Sequence, residues 1–155
     1  MDLIAELAAV SRALDGAGVP YAVCGGIAVT IHGHVRATKD IVLLIRPEDR
    51  DRALQIVAGL GFDRQALPMT FGTGTPSERH VQRVTKLEAG ESLTVDFLLV
   101  GPLYEGAWSD RESYAWEGTT LTVVSLDGLV AMKRIAGRTQ DLADIERLTG
   151  GPDDT

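Results

Sequence analysis

The sequence predicts an α+β fold in which a mixed, mostly antiparallel sheet has helices packed on one face. Short apolar strand patterns at residues 21–24 and 40–45 are interleaved with segments of helical period. Two longer strand patterns, 80–87 and 92–100, are joined by the turn at 88–91, which favours an antiparallel hairpin. A chain of 155 residues is long enough for one domain with a proper core.

The first quarter of the chain predicts a helix, a strand, a glycine turn and a short helix. Residues 3–14 carry leucines at helical spacing, and Gly16 ends that segment. Residues 21–24 form a short apolar strand, which the double glycine 25–26 connects to one or two helical turns at 27–32.

The next segment predicts a buried strand, a helix and a loop. The strand at residues 40–45 is continuously apolar after its first residue and ends before Pro47, which suits the first turn of a helix. That helix closes at Gly61. Residues 68–77 combine glycines and prolines with four hydroxyl residues, so we expect a mobile loop there.

After the hairpin, the pattern weakens and then returns. Residues 101–118 show no clear period, while residues 121–124 predict a short strand. Ser125 is placed to cap a helix over 126–136, and a last helix begins near Thr139.

That last helix is predicted from an apolar stripe. Leu142, Ile145 and Leu148 recur at helical spacing, so the stripe is expected to face the core. Asp141 and Asp144 then share an adjoining face, and Asp141 is expected to cap or charge the start of the helix.

The composition is that of an ordinary globular domain. Hydrophobic residues make up 45% of the chain and charged residues 24%, which excludes disorder throughout. We expect a single domain at residues 1–149 and a disordered tail at 150–155. The net charge of -7 disfavours a protein whose whole surface binds nucleic acid, because phosphate neutralisation needs accumulated lysine and arginine.

The sequence also indicates a cellular compartment. The single cysteine, Cys24, excludes an internal disulfide and fits a reducing environment. No apolar run approaches the roughly 20 residues needed to span a bilayer, and the first residues lack the basic region of a signal peptide. We therefore expect a cytoplasmic protein without membrane association.

Glycine, basic and acidic residues recur in an ordered set along the chain. The set comprises Gly25-Gly26, Arg36 to Ile41, Val95-Asp96-Phe97, Lys133 and Asp141 to Glu146. In this order the chain resembles the minimal nucleotidyltransferases of the DNA polymerase beta superfamily, and most closely the AbiEii-type group that includes bacterial toxins. The resemblance extends from about residue 15 to residue 148.

The resemblance implies transfer of a nucleoside monophosphate from a nucleoside triphosphate (NTP) to an RNA, protein or small-molecule acceptor. Magnesium or manganese held by carboxylates would stabilise the attacking and leaving oxygens, and an antitoxin is an implied partner. The implied catalytic residues are Asp40, Asp96, Lys133 and Asp144, of which Asp40 and Asp96 are the metal ligands. The implied nucleotide-binding residues are Gly25, Gly26, Arg36, Thr38 and Lys133.

Each of these residues also has a purely structural interpretation. The double glycine 25–26 is either a phosphate-binding turn or a tight turn without a ligand. Arg36 is suited to bind phosphate or to pair with a carboxylate. Lys133 either faces the nucleotide or extends its stem to water. Asp144 contributes to catalysis, holds that lysine, forms a structural salt bridge or lies on a solvated face.

The histidines and the cysteine are weaker candidates. His32, His34 and His80 suggest a metal chelate, but His32 matches a position where the resembling family often has a histidine that does not bind metal. Cys24 lies in an apolar strand with no neighbouring base in the sequence. It is interpreted as a small buried hydrophobic residue.

The metal-binding pattern is broken at one position. Two aspartates spaced by one residue on a strand point to the same face and share a metal, but the sequence at 40–42 is Asp-Ile-Val. Val42 therefore indicates a natural pseudoenzyme, an engineered inactivating substitution, or an enzyme that binds metal through Asp40 and Asp96 alone. Activity is expected to be weakened or lost, and the alternative is a non-catalytic nucleotide-binding or protein-interaction module, such as a toxin–antitoxin component.

Overall fold

A computed structural model describes residues 1–150 of the chain as one sheet with six helices, so most of the expected tail, residues 151–155, lies outside the described residues. The helices are α1 (Leu3–Gly16), α2 (Gly25–Ile31), α3 (Arg50–Ala58), α4 (Glu105–Ser109), α5 (Leu126–Ala136) and α6 (Thr139–Thr149). The strands are β1 (Ala22–Cys24), β2 (Asp40–Ile45), β3 (Phe62–Gln65), β4 (Met69–Phe71), β5 (Arg79–Glu88), β6 (Glu91–Leu99), β7 (Glu112–Trp116) and β8 (Thr119–Val123). A 3₁₀ turn at Pro47–Asp49 precedes α3. In residues 1–150, each helix is too short or too polar to cross a bilayer.

The sheet confirms the predicted fold class. Its strand order is β3-β5-β6-β2-β1-β8-β7, and β4 pairs with the outer part of β5. Strands β2 and β6 run parallel, as do β1 and β8, while the other pairs are antiparallel. The predicted hairpin is present as β5 and β6, which pair along almost their whole length.

The parallel pair β2–β6 lies at the centre of the core. Ile41, Leu43 and Ile45 on β2 are fully buried, as are Val95 and Phe97 on β6. These side chains share one face, and Leu44 is fully buried on the other; strands covered on both faces carry such apolar runs. Burial of each large side chain stabilises the fold by about 1.5–3 kcal/mol. The apolar residues therefore fix the register that carries the polar residues of the same two strands.

Two regions contain more regular structure than the sequence predicts. The expected loop at 68–77 includes β4, which pairs with β5 through the partners Thr70 and His80. The unpatterned region 101–118 contains α4 and β7. These elements are only three to five residues long, too short to show a period in the sequence.

The orientation predicted for α6 is wrong. Leu142 is 54% exposed, whereas Asp141 and Asp144 are buried. Of the predicted apolar stripe, only Leu148 is buried, and Ile145 is partly buried. The inward face of the helix carries the two aspartates because their cationic partners lie beneath it.

The predicted cap of α5 is confirmed. Ser125 Oγ accepts a hydrogen bond from the backbone N–H of Gly128 at 3.0 Å and donates one to Asp110 Oδ2 at 2.7 Å. The helix ends at Gly137, whose φ of 63° lies in the left-handed region that glycine favours.

Substituting Ser125→Ala removes this cap and leaves the Gly128 N–H without its partner. We expect the free energy of unfolding, measured by urea denaturation, to fall by about 1 kcal/mol. Ser77→Ala is the matched control, because Ser77 is exposed. Equal stability of the two variants would contradict the capping role.

Candidate active site

The register of β2 and β6 brings two of the predicted carboxylates to one face of the sheet. Asp40 pairs with Thr94 and Val42 pairs with Asp96. Side chains two residues apart on a strand point to the same face, as do directly paired residues on parallel strands. Asp40, Val42 and Asp96 therefore share a face, which is the geometric condition for a common site.

This face lines a cleft of about 800 Å³. The predicted residues that line it are Gly25, Gly26, Arg36, Thr38, Asp40, Asp96 and Lys133. The cleft has five cationic and three acidic side chains, which are Arg36, Arg79, Arg83, Lys133, Arg138, Asp40, Asp96 and Asp141. Asp144, buried behind Arg36 and Lys133, balances part of this charge, so the region has one more cation than carboxylates in a chain whose net charge is -7.

Arg83 is a cleft residue that the sequence analysis missed. It lies directly opposite Asp96 in the β5–β6 register. Its Nε donates to Asp96 Oδ1 at 2.7 Å and its Nη2 donates to Asp96 Oδ2 at 2.9 Å, so the two side chains form a bidentate ion pair. These hydrogen bonds and the charge of Asp96, aided by the charge of Asp40, raise the pKa of Arg83 above its ordinary value.

Arg79 is a second cleft cation that the sequence pattern did not indicate. It lies on β5, four residues before Arg83. The guanidinium of Arg79 lies 5.5 Å from the ring centroid of Phe71 on β4, and its Nη1 donates to the carbonyl oxygen of Ser77 at 3.1 Å. Arg79, Val81 and Arg83 alternate along one strand and all line the cleft. Strand β5 therefore supplies a row of positive charge to one wall.

The opposite wall is held by an ion network around Asp144. Its Oδ2 lies 3.1 Å from Lys133 Nζ and accepts a hydrogen bond from Arg36 Nη1 at 2.8 Å. Its Oδ1 accepts one from Gln140 at 2.8 Å. Asp144 is fully buried and is not among the cleft-lining residues. The interpretation that places Asp144 on a solvated helix face is therefore wrong. The structural salt bridge is present, and it holds both Lys133 and Arg36.

Asp141 caps α6, as predicted. It accepts hydrogen bonds from the backbone N–H of Arg138 at 3.1 Å and from Nε of the same residue at 2.7 Å. Burial alone would raise the pKa of Asp141, but the bonds and charge of Arg138, with the charge of Lys133, outweigh burial and lower it. Lys133 Nζ lies 3.6 Å from Asp141 Oδ1. This carboxylate therefore stays ionised in the folded protein at neutral pH.

Both glycines of the predicted turn pack against other site residues. Gly25 has a φ of +68°, and a Cβ there would lie 2.9 Å from Val42 Cγ2. A Cβ on Gly26 would lie 2.9 Å from Thr38 Oγ1 and 3.3 Å from Arg36 Nη1. Close packing alone therefore accounts for glycine at both positions, with no ligand required. Both glycines also line the cleft, so their backbone is accessible from it.

The residues at this site do not fit a carboxylate-bound pair of metal ions. Val42 places methyl groups where the sequence pattern expects an oxygen ligand, and both oxygens of Asp96 bind Arg83. In residues 1–150 there is no group of three histidine, cysteine, aspartate or glutamate side chains placed to hold a metal ion. Divalent magnesium and manganese need several oxygen ligands in fixed geometry.

The histidine and cysteine candidates have structural contacts. His32 Nε2 donates to the carbonyl oxygen of Val124 at 2.9 Å, and its ring meets Tyr114 edge-on with centroids 5.1 Å apart. Burial raises the pKa of the Cys24 thiol to about 12, so this thiol is protonated at neutral pH. The interpretation of Cys24 as a buried hydrophobic residue is confirmed.

Solved structures show that this is the nucleotidyltransferase fold. The chain aligns over 94% of its length with 86% of the antibiotic-resistance factor ANT(2'')-Ia, crystallised with adenylyl-2''-tobramycin, at a TM-score of 0.59 and 16% identity. TM1012 from Thermotoga maritima, provisionally assigned as a nucleotidyltransferase, gives 0.61 at 12% identity over 95% of this chain and 92% of that one. JHP933 from Helicobacter pylori gives 0.54 at 16% identity, with 95% and 64% covered.

At these identities the likeness establishes a shared fold. The sequence matches none of the family models compared with it, and no curated protein matches it significantly. The superfamily resemblance drawn from the sequence is supported at the level of the fold.

Replacing Asp144 with alanine leaves Lys133 buried without its shortest ionic contact. We expect the free energy of unfolding to fall by about 3–5 kcal/mol, because breaking a buried ion pair leaves an uncompensated charge. Asp63→Ala changes an exposed aspartate of β3 and should stay within about 0.5 kcal/mol. Chemical denaturation measures the free energy of unfolding of both variants. Similar losses of stability in the two would contradict a stabilising role for the ion network around Asp144.

The lowered pKa of Asp141 predicts a pH-dependent contribution to stability. A carboxylate with a depressed folded-state pKa stabilises the fold above its unfolded pKa of about 3.9, and this contribution is lost as the pH falls through the folded value. We therefore expect Asp141→Asn to destabilise the protein most at neutral pH and progressively less below about pH 4. Denaturation at several pH values tests this, and a difference that is constant with pH would contradict it.

Proposed function

We propose that the chain binds a nucleoside triphosphate in this cleft and that its metal-dependent nucleotidyl transfer is weakened or lost. The observation that carries the proposal is the set of five cationic side chains that line the cleft of an acidic chain with the nucleotidyltransferase fold. A triphosphate is an anion that suits such a set of cations, because clustered positive charge attracts anions.

The phosphate-binding side chains are Arg36, Lys133 and Thr38, beside the glycine pair 25–26. Asp144 holds both Arg36 and Lys133 from beneath the cleft, which reduces the side-chain entropy lost when phosphate binds. We assign Asp144 a positioning role, because it does not line the cleft.

The weakness of transfer follows from the carboxylates. Asp40 and Asp96 are the remaining candidate ligands for magnesium or manganese, but Asp96 is already paired with Arg83. Two carboxylates, one of them engaged by a guanidinium, are too few donors to hold a pair of metal ions. The same observation favours the second candidate function, a module that binds nucleotide as a regulator without chemistry.

The acceptor of any transfer is open to two proposals. The ANT(2'')-Ia structure contains an adenylylated antibiotic, which favours a small hydroxylated acceptor. The AbiEii-type resemblance favours an RNA or protein acceptor and an antitoxin partner. The cleft lining also includes apolar side chains, of which Phe71 is 44% exposed and is the candidate to contact a base or an acceptor.

Restoring the missing carboxylate tests the proposal. We expect the protein to bind NTPs and Val42→Asp to raise transfer at least about tenfold, because even outer partners of metal ligands contribute 10- to 100-fold. Labelled NTPs with magnesium, total RNA and total protein provide the assay.

The matched control is Val42→Asn, which has the shape of aspartate without its charge. It should bind nucleotide and leave transfer unchanged. Absence of nucleotide binding by the wild-type protein and by Val42→Asp alike would contradict the proposed function. Binding by both, with no transfer product from either, would favour the regulatory module.

A further inference from the structure

We propose that Arg83 takes the place of a divalent cation in this cleft, so that the protein binds the triphosphate of an NTP without metal. This inference rests on the proposed nucleotide binding and specifies its chemistry. The site is arranged around a protein cation paired with Asp96, the carboxylate that would otherwise face the metal.

The ion pair between Arg83 and Asp96 leaves no free oxygen on this carboxylate for a metal. Arg83 occupies both carboxylate oxygens of Asp96, at 2.7 and 2.9 Å. The Asp96 side chain is only 13% exposed, so a cation that approached it from the cleft would compete with Arg83. Metal binding through this carboxylate therefore has to break two charge-assisted hydrogen bonds.

Arg83 retains N–H donors that do not bond Asp96. A guanidinium has five N–H groups, and Arg83 directs two of them to Asp96. Within residues 1–150 the remaining three have no hydrogen-bond acceptor, and the side chain is 45% exposed on the cleft wall. Arg83 is thus able to bind a phosphate oxygen while it stays paired with Asp96.

Val42 belongs to the same arrangement. An aspartate at position 42 would stand directly beside Asp96 in the β2–β6 register, and Arg83 would then face three carboxylates, including Asp40. Like charges in such a cluster repel one another and favour a metal ion or protons between them. With valine there, one guanidinium suffices to neutralise Asp96.

The charge of the cleft also favours a triphosphate without metal. A triphosphate without metal carries more negative charge than its magnesium complex. It therefore gains more from Arg79, which has no ion-pair partner among residues 1–150, and from the donors that Arg83 retains.

Calorimetric titration with ATP, in EDTA and in magnesium, tests the inference. For the wild-type protein we expect dissociation constants that agree within about threefold or are tighter in EDTA. Arg83→Gln should weaken binding in EDTA at least about tenfold, the scale of one charge-assisted hydrogen bond. Arg64→Gln is the control, because Arg64 is exposed on β3 and does not line the cleft.

The outcomes separate the inference from the proposed function. Binding that requires magnesium in the wild-type protein would overturn the inference and leave the proposed function intact, as would unchanged affinity in a folded Arg83→Gln. Absence of binding in both solutions would overturn both. A second variant, Val42→Asp, should shift binding towards dependence on magnesium, and it keeps the test decisive if Arg83→Gln does not fold.

Discussion

The parallel pairing of β2 with β6 is the constraint on which the site depends. Apolar side chains on both faces of these strands hold the register, and the register sets Val42 opposite Asp96. Because β5 pairs with β6 on its other side, the antiparallel register of that hairpin places Arg83 opposite Asp96. One shift of a residue would send these side chains to the opposite face. The core thus determines which charges meet in the cleft.

Cations of the protein itself neutralise most of the carboxylates in this region. Asp96 pairs with Arg83, Asp144 with Lys133 and Arg36, and Asp141 with Arg138. Asp40 is the cleft carboxylate without an ion-pair partner among residues 1–150. The chain has the nucleotidyltransferase fold, while the oxygen ligands available for a pair of metal ions are reduced to Asp40 and the engaged Asp96.

The sequence predicts the parts of this arrangement that depend on local pattern. The bounds of β2 coincide with the apolar run, and the turn at 88–91 predicts the β5–β6 hairpin. That turn already implies the pairing of residues 83 and 96, so the signal for Arg83 was present in the sequence. The burial of Asp144 was not predictable in this way, because Arg36 lies more than 100 residues from it in the chain.

A crystal structure of the protein with ATP and manganese, with manganese located by its anomalous scattering, tests whether a protein cation stands where a metal would otherwise lie. We expect Arg83 to remain bonded to Asp96 and to contact a phosphate oxygen, with no manganese between Asp40 and Asp96. Manganese bound to both aspartates, with Arg83 displaced from the carboxylate, would contradict the account.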